Sequence, residues 1–168
     1  MLTGWVVALG SWAFAAHAQA PPLEYQVKAS YLYNFARFID WPNDVLDSGT
    51  FNLCVVGAER FGRTLDQLAG ERIDGHELVI RRLERVAAAH SARCHMLFIG
   101  TVDAAAQGPI AAERGVLTIG EAPGFVERGG MINLVEVRGR IHFQINHKAA
   151  KQAGLVVSSR LLDLAMKR

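Results

Sequence analysis

The sequence predicts a three-layer α/β domain, in which a mostly parallel sheet carries a long N-terminal helix and a C-terminal antiparallel hairpin. Three observations point there. Short runs that are apolar throughout alternate with helical spacings, the pattern of strands buried on both faces of a parallel sheet. Near the C-terminus two strands are separated only by Arg138-Gly139, too short a link for a parallel crossover. Residues 24–41 repeat apolar side chains at helical spacing.

Taken in order, residues 24–41 form one helix with Val27, Tyr31, Phe35 and Phe38 on its stripe, broadened by Leu32, Ala36 and Ile39. Trp41-Pro42 ends it, because the residue before proline avoids the helical region. After the turn at Asp47-Ser48-Gly49, residues 51–57 read as a buried strand and 60–68 as a helix stopping at Gly70. A second strand covers 77–83, a short helix 85–91, and a third strand 95–100. Residues 104–114 are read as a helix, shortened or split at Gly108-Pro109, and 115–120 as the fourth strand. Residues 131–137 and 140–146 make the hairpin. In its second arm Ile141, Phe143 and Ile145 face one way and His142, Gln144 and Asn146 the other. A last helix starts at Ser158, an N-cap residue type.

The first twenty residues carry no Lys, Arg, Asp or Glu, and the apolar run from Gly4 to Ala16 leads into Ala16-His17-Ala18 and Ala18-Gln19-Ala20. That is the layout of a secretory signal peptide. We expect a signal peptide over residues 1–18, with cleavage after Ala20 as the alternative, and a single exported domain over 19–168. The apolar run is too short for a membrane span, which needs roughly 20 residues. The formal net charge of +2 comes from interspersed basic and acidic residues, with no basic run, so nucleic acid is not expected as a partner.

There are two cysteines, Cys54 and Cys94. In a reducing compartment they would read as small buried hydrophobes. In an oxidising one, an even pair with no leftover thiol reads as a disulfide. Such a bridge needs Cα atoms within about 7 Å, which makes the first and third strands neighbours. The order 2-1-3-4, a flavodoxin- or Rossmann-like arrangement, meets that condition.

Signals for chemistry are sparse. The segment Gly57-Ala58-Glu59-Arg60-Phe61-Gly62-Arg63-Thr64 follows a strand and nearly spells a phosphate-binding loop, but Arg63 stands where a compact lysine is needed. A glycine-punctuated turn, or a weak anion site at a helix N-terminus, fits it better. His76, His90, His95, His142 and His147 form no metal-ligand spacing. We expect no metal, no cofactor and no catalytic set. Gly129-Gly130 ahead of the hairpin signals positive φ or a close backbone approach.

Several blocks together resemble the YfiR family. They are Val27-Lys28-Ala29-Ser30-Tyr31-Leu32-Tyr33-Asn34-Phe35-Ala36-Arg37-Phe38-Ile39-Asp40-Trp41-Pro42, Phe51-Asn52-Leu53-Cys54-Val55-Val56-Gly57, Cys94-His95-Met96-Leu97-Phe98-Ile99 and Gly129-Gly130-Met131-Ile132-Asn133-Leu134-Val135. Arg140-Ile141-His142-Phe143-Gln144-Ile145-Asn146 and Ser158-Ser159-Arg160-Leu161-Leu162-Asp163-Leu164-Ala165 complete the match. The resemblance implies a periplasmic repressor that docks on the periplasmic domain of an inner-membrane diguanylate cyclase, lowering cyclic-di-GMP and restraining biofilm formation. It also implies a homodimer, sequestration by an outer-membrane lipoprotein, and a disulfide at the Cys54–Cys94 position. A second cysteine pair found in some members is absent here. An accessory ligand-binding sensor for a membrane histidine kinase or an outer-membrane receptor is the alternative, and an exported hydrolase is a third reading. The residues expected at the partner interface are Gly129, Gly130, Asn133, Phe143 and Asn146.

Overall fold

Leu23–Arg37 forms helix α1, entered through Pro22, whose fixed backbone suits a helix start. The computed structural model describes residues 22–46, 49–90, 92–101, 110–111 and 113–166. The expected signal segment and most of the expected 104–114 helix lie outside these residues. Helix α1 is shorter than its sequence stripe suggests, because Ile39–Asp40 leaves it as strand β1. Its buried face is also rotated: Tyr25, Lys28, Ala29, Leu32, Phe35 and Ala36 point inward, while Val27 and Phe38 are each 37% exposed.

The main sheet has seven strands. They are β2 (Thr50–Val56), β3 (Arg72–Ile73), β4 (His76–Leu83), β5 (Met96–Ile99), β6 (Leu117–Gly120), β7 (Ile132–Val137) and β8 (Arg140–Ile145), in spatial order β3-β4-β2-β5-β6-β7-β8. Neighbours from β4 to β7 pair in parallel; β3 and β8 close the two edges antiparallel. The four strands expected from apolar runs thus stand in the order 2-1-3-4. The Cys54–Cys94 disulfide joins β2 to the residue pair ahead of β5, with a Cα–Cα distance of 5.7 Å.

Helix α2 (His147–Gln152), strand β9 (Val156–Val157) and helix α3 (Ser159–Leu164) complete the chain. Strand β9 pairs antiparallel with β1 in a separate two-stranded ribbon. As expected, Ser158 caps α3, its Oγ accepting from the Leu161 N–H.

Helices on both sheet faces are not what the described residues show. Side chains of α1, α2 and α3 share one core with Phe51, Leu53, Val55, Phe98, Ile119, Ile132 and Phe143. On the opposite face Cys54, Val56, Cys94, Leu97 and Ile99 pack under Ala89, Val116, Ala122 and Phe125. The expected helices at 60–68 and 85–91 are 3-10 turns, Ala58–Phe61, Leu65–Leu68 and Val86–Ala88. Gly62, with φ 52°, interrupts the first pair, so this crossover is built from short 3-10 turns rather than one α-helix. The anion-site reading of 57–64 loses the α-helix it requires; instead Phe61 is buried there between Tyr25 and Phe98, at centroid distances of 4.9 and 5.0 Å.

The amino end of the sheet is anchored by Trp41. Its indole N–H donates to the carbonyls of His95 (3.2 Å) and Gly115 (3.0 Å), and its ring meets Phe51 edge-on. Buried His95 accepts the Asn52 N–H on Nδ1 at 2.8 Å and reaches the Val45 carbonyl through Nε2 at 3.1 Å, so it ties loops together.

Candidate functional site

With its C-terminal end at the amino edge of the sheet, α1 brings its first turns to the carboxyl edge, beside the tip of the hairpin. There Leu23, Glu24 and Val27 face Glu136, Gly139, Arg140 and Ile141 across a groove of about 410 Å³. Leu23 is 73% exposed, so this is apolar surface left open to solvent. Glu136 and Arg140 give the groove a charged rim.

Behind the same helix turn lies a network of buried charge. The Glu121 side chain is 5% exposed and follows β6 directly. It accepts from Lys28 Nζ (2.5 Å), Tyr25 Oη (3.0 and 3.1 Å), and the Thr101 N–H and hydroxyl (3.3 and 3.0 Å). Lys28 also pairs with Glu24, one turn earlier and itself on the groove wall. Arg60 donates to the Tyr25 hydroxyl at 3.0 Å.

Burial alone would raise the Glu121 carboxyl, but the hydrogen bond and charge of Lys28, helped by Thr101 and Tyr25, outweigh it and hold the group below its ordinary value of 4.5. For Lys28, burial pulls the other way and is likewise overcome by Glu121 and Glu24, which raise it above 10.5. A depressed carboxylate stabilises the fold above the unfolded-state value and loses that contribution as pH falls through the folded one. Denaturant titrations from pH 6 down to 3 should therefore show stability declining below about pH 4.5. The acid limb should be shallower in Glu121→Gln.

The residues expected at an interface each have a structural position. Phe143 is 5% exposed and packs edge-on against Phe35 (5.1 Å) and Tyr31 (5.7 Å). Asn146 caps α2, its Oδ1 accepting from the Ala149 N–H while Nδ2 donates to the Val126 carbonyl. Asn133 is buried between the register partners Gly120 and Gln144, and its Oδ1 accepts no hydrogen bond. Gly129 has φ 103°, and a Cβ there would fall 2.4 Å from the Ile110 carbonyl oxygen; at Gly130 it would strike the Phe125 ring. Gly129→Ala should cost at least about 1–3 kcal/mol in a thermal or denaturant melt, through strain alone.

Sequence reasoning pointed to the hairpin, but Gly129, Gly130, Asn133, Phe143 and Asn146 do not line this groove, and Leu23, Val27, Glu136, Arg140 and Ile141 were missed. Groove walls come from segments far apart in the chain, which periodicity does not connect. One signal for the ion network was present: Lys28 sits three residues after Tyr25 and four before Leu32, a charge inside the buried spacing.

Among the described residues no group of three or more His, Cys, Asp or Glu could hold a metal ion, and no helix is long and apolar enough to cross a membrane. The chain is thus a mixed α/β domain with a mostly parallel sheet and an apolar groove at its carboxyl edge. The chain belongs to the YfiR/HmsC-like family, whose model matches residues 25–166. No curated protein matches it.

Proposed function

We propose that this chain is a periplasmic regulator that docks on the periplasmic domain of an inner-membrane diguanylate cyclase and holds it inactive, lowering cyclic-di-GMP and restraining biofilm formation. Family membership over residues 25–166 is the observation that carries the reading. The groove formed by Leu23, Val27 and Ile141 supports it, since it offers exposed apolar surface with a charged rim, the make-up of a docking patch. A disulfide between Cys54 and Cys94 suits export to an oxidising compartment. In the same reading the chain works as a homodimer, and an outer-membrane lipoprotein sequesters it.

The role is binding rather than catalysis. Glu121, the buried carboxylate at the carboxyl edge, is taken up by Lys28, Tyr25 and Thr101 and so is not free to act as a base. Regulation as an accessory sensor is the second reading. A cavity of about 310 Å³ on the opposite sheet face favours it, lined in part by Val86, Ala89, Leu97, Ile99, Ile110 and Val116.

Deleting the gene and measuring cyclic-di-GMP tests the proposal. Levels should rise several-fold and return when the full-length gene is restored; unchanged levels would sink the repressor reading.

A further inference from the structure

We propose that Glu121 is a positioning residue for docking, a latch that fixes the first turns of α1 and through them one wall of the groove. The inference rests on the reading of that groove as the docking surface. In an open parallel sheet the crevice at the carboxyl ends, where strand order reverses, is the usual ligand site. Here the reversal lies between β2 and β5, because the chain moves from β2 outward to β4 on one side and then returns past β2 to β5 on the other. The backbones approach closely there, since a Cβ on Gly100 would lie 3.2 Å from the Gly57 carbonyl oxygen. The chain's own Tyr25 and Lys28 reach this edge, and Glu121 receives both, together with Thr101 at the exit of β5.

Besides the Glu121 network, this end of α1 is held by Tyr25, whose buried ring packs edge-on against Phe61 and whose hydroxyl accepts from Arg60. Pro22 supplies no side-chain cap, and Leu23 and Val27 face outward into the groove. Glu24 belongs to both features: it lines the groove and pairs with Lys28, which Glu121 holds. Loss of the Glu121 charge therefore reaches the groove wall through one helical turn, without touching any residue of the groove's apolar floor.

The test is hydrogen exchange on the full chain, combined with cyclic-di-GMP measured in cells that lack the gene and carry each variant. Glu121→Gln keeps the shape and removes the charge. Tyr25→Phe is the milder companion, as its ring stays on Phe61 while the hydroxyl bond is lost. In Glu121→Gln, amides of residues 24–30 should exchange about tenfold faster while those of β2 and β5 keep their protection. Cyclic-di-GMP should rise toward the deletion level, with Tyr25→Phe intermediate in both readouts. Unchanged exchange over 24–30 would overturn the latch. Faster exchange with repression intact would overturn the positioning role. If the wild-type chain itself fails to lower cyclic-di-GMP, the docking reading and with it the positioning role fail, while the exchange arm still decides the latch.

Discussion

Reducing the Cys54–Cys94 bridge, or replacing both cysteines by alanine, is expected to lower stability by about 4 kcal/mol. The bridge closes a sequence separation of 40 residues, and constraining a loop of that size in the unfolded chain has an effect of this order. Both cysteines are buried in the smaller of the two core clusters, beside Val56, Ala89, Leu97 and Val116, so their replacement also removes packing. For a domain of this size the loss corresponds to a fall in Tm of roughly 8–16 °C, read by calorimetry with and without reductant. A Tm unchanged under full reduction would show that the bridge adds nothing to the fold.

A loss of similar size is expected for Phe143→Ala, about 3–5 kcal/mol, because its ring fills the junction between α1 and the hairpin against Tyr31 and Phe35. The neighbouring edge is closed by the chain itself: the Tyr31 hydroxyl donates to the Ile141 carbonyl at 3.1 Å, and the Met166 N–H to that of Phe143 at 2.8 Å. Emptying the junction should loosen all three segments together. Phe143→Leu, which keeps most of the volume, should cost no more than about half as much. Urea melts separate the two, and equal stability of Phe143→Ala and wild type would place the ring outside the core. Any loss of regulation in Phe143→Ala must therefore be read against its stability.

The strands were legible because parallel-sheet strands buried on both faces carry unbroken apolar runs, as in residues 53–56 and Met96–Ile99. Their order followed from the cysteines, since a covalent bridge is a distance constraint that sequence can state. The helices were less legible. Apolar spacing around Phe61 and Leu65 is the same for two 3-10 turns as for one α-helix, and the positive φ at Gly62 decides between them. Strands β1, β3 and β9 have two residues each, and their pairing is set by tertiary contact rather than by any local pattern. The stripe on α1 was misplaced because hydrophobicity selected Val27 over Lys28, whose burial is compensated by ion pairs to Glu121 and Glu24.

Val27→Glu gives the most direct test of docking through the groove. Val27 is 37% exposed, and glutamate is a good helix former, so the melting temperature should stay within about 2 °C of wild type. The substitution places a charge among Leu23, Ile141 and the carboxylates of Glu24 and Glu136. The deciding measurement is cyclic-di-GMP in cells that lack the gene and carry either the wild-type chain or Val27→Glu. The expected result is a low level with wild type and a level close to that of the deletion with the folded variant. Full repression by Val27→Glu would contradict docking through this groove.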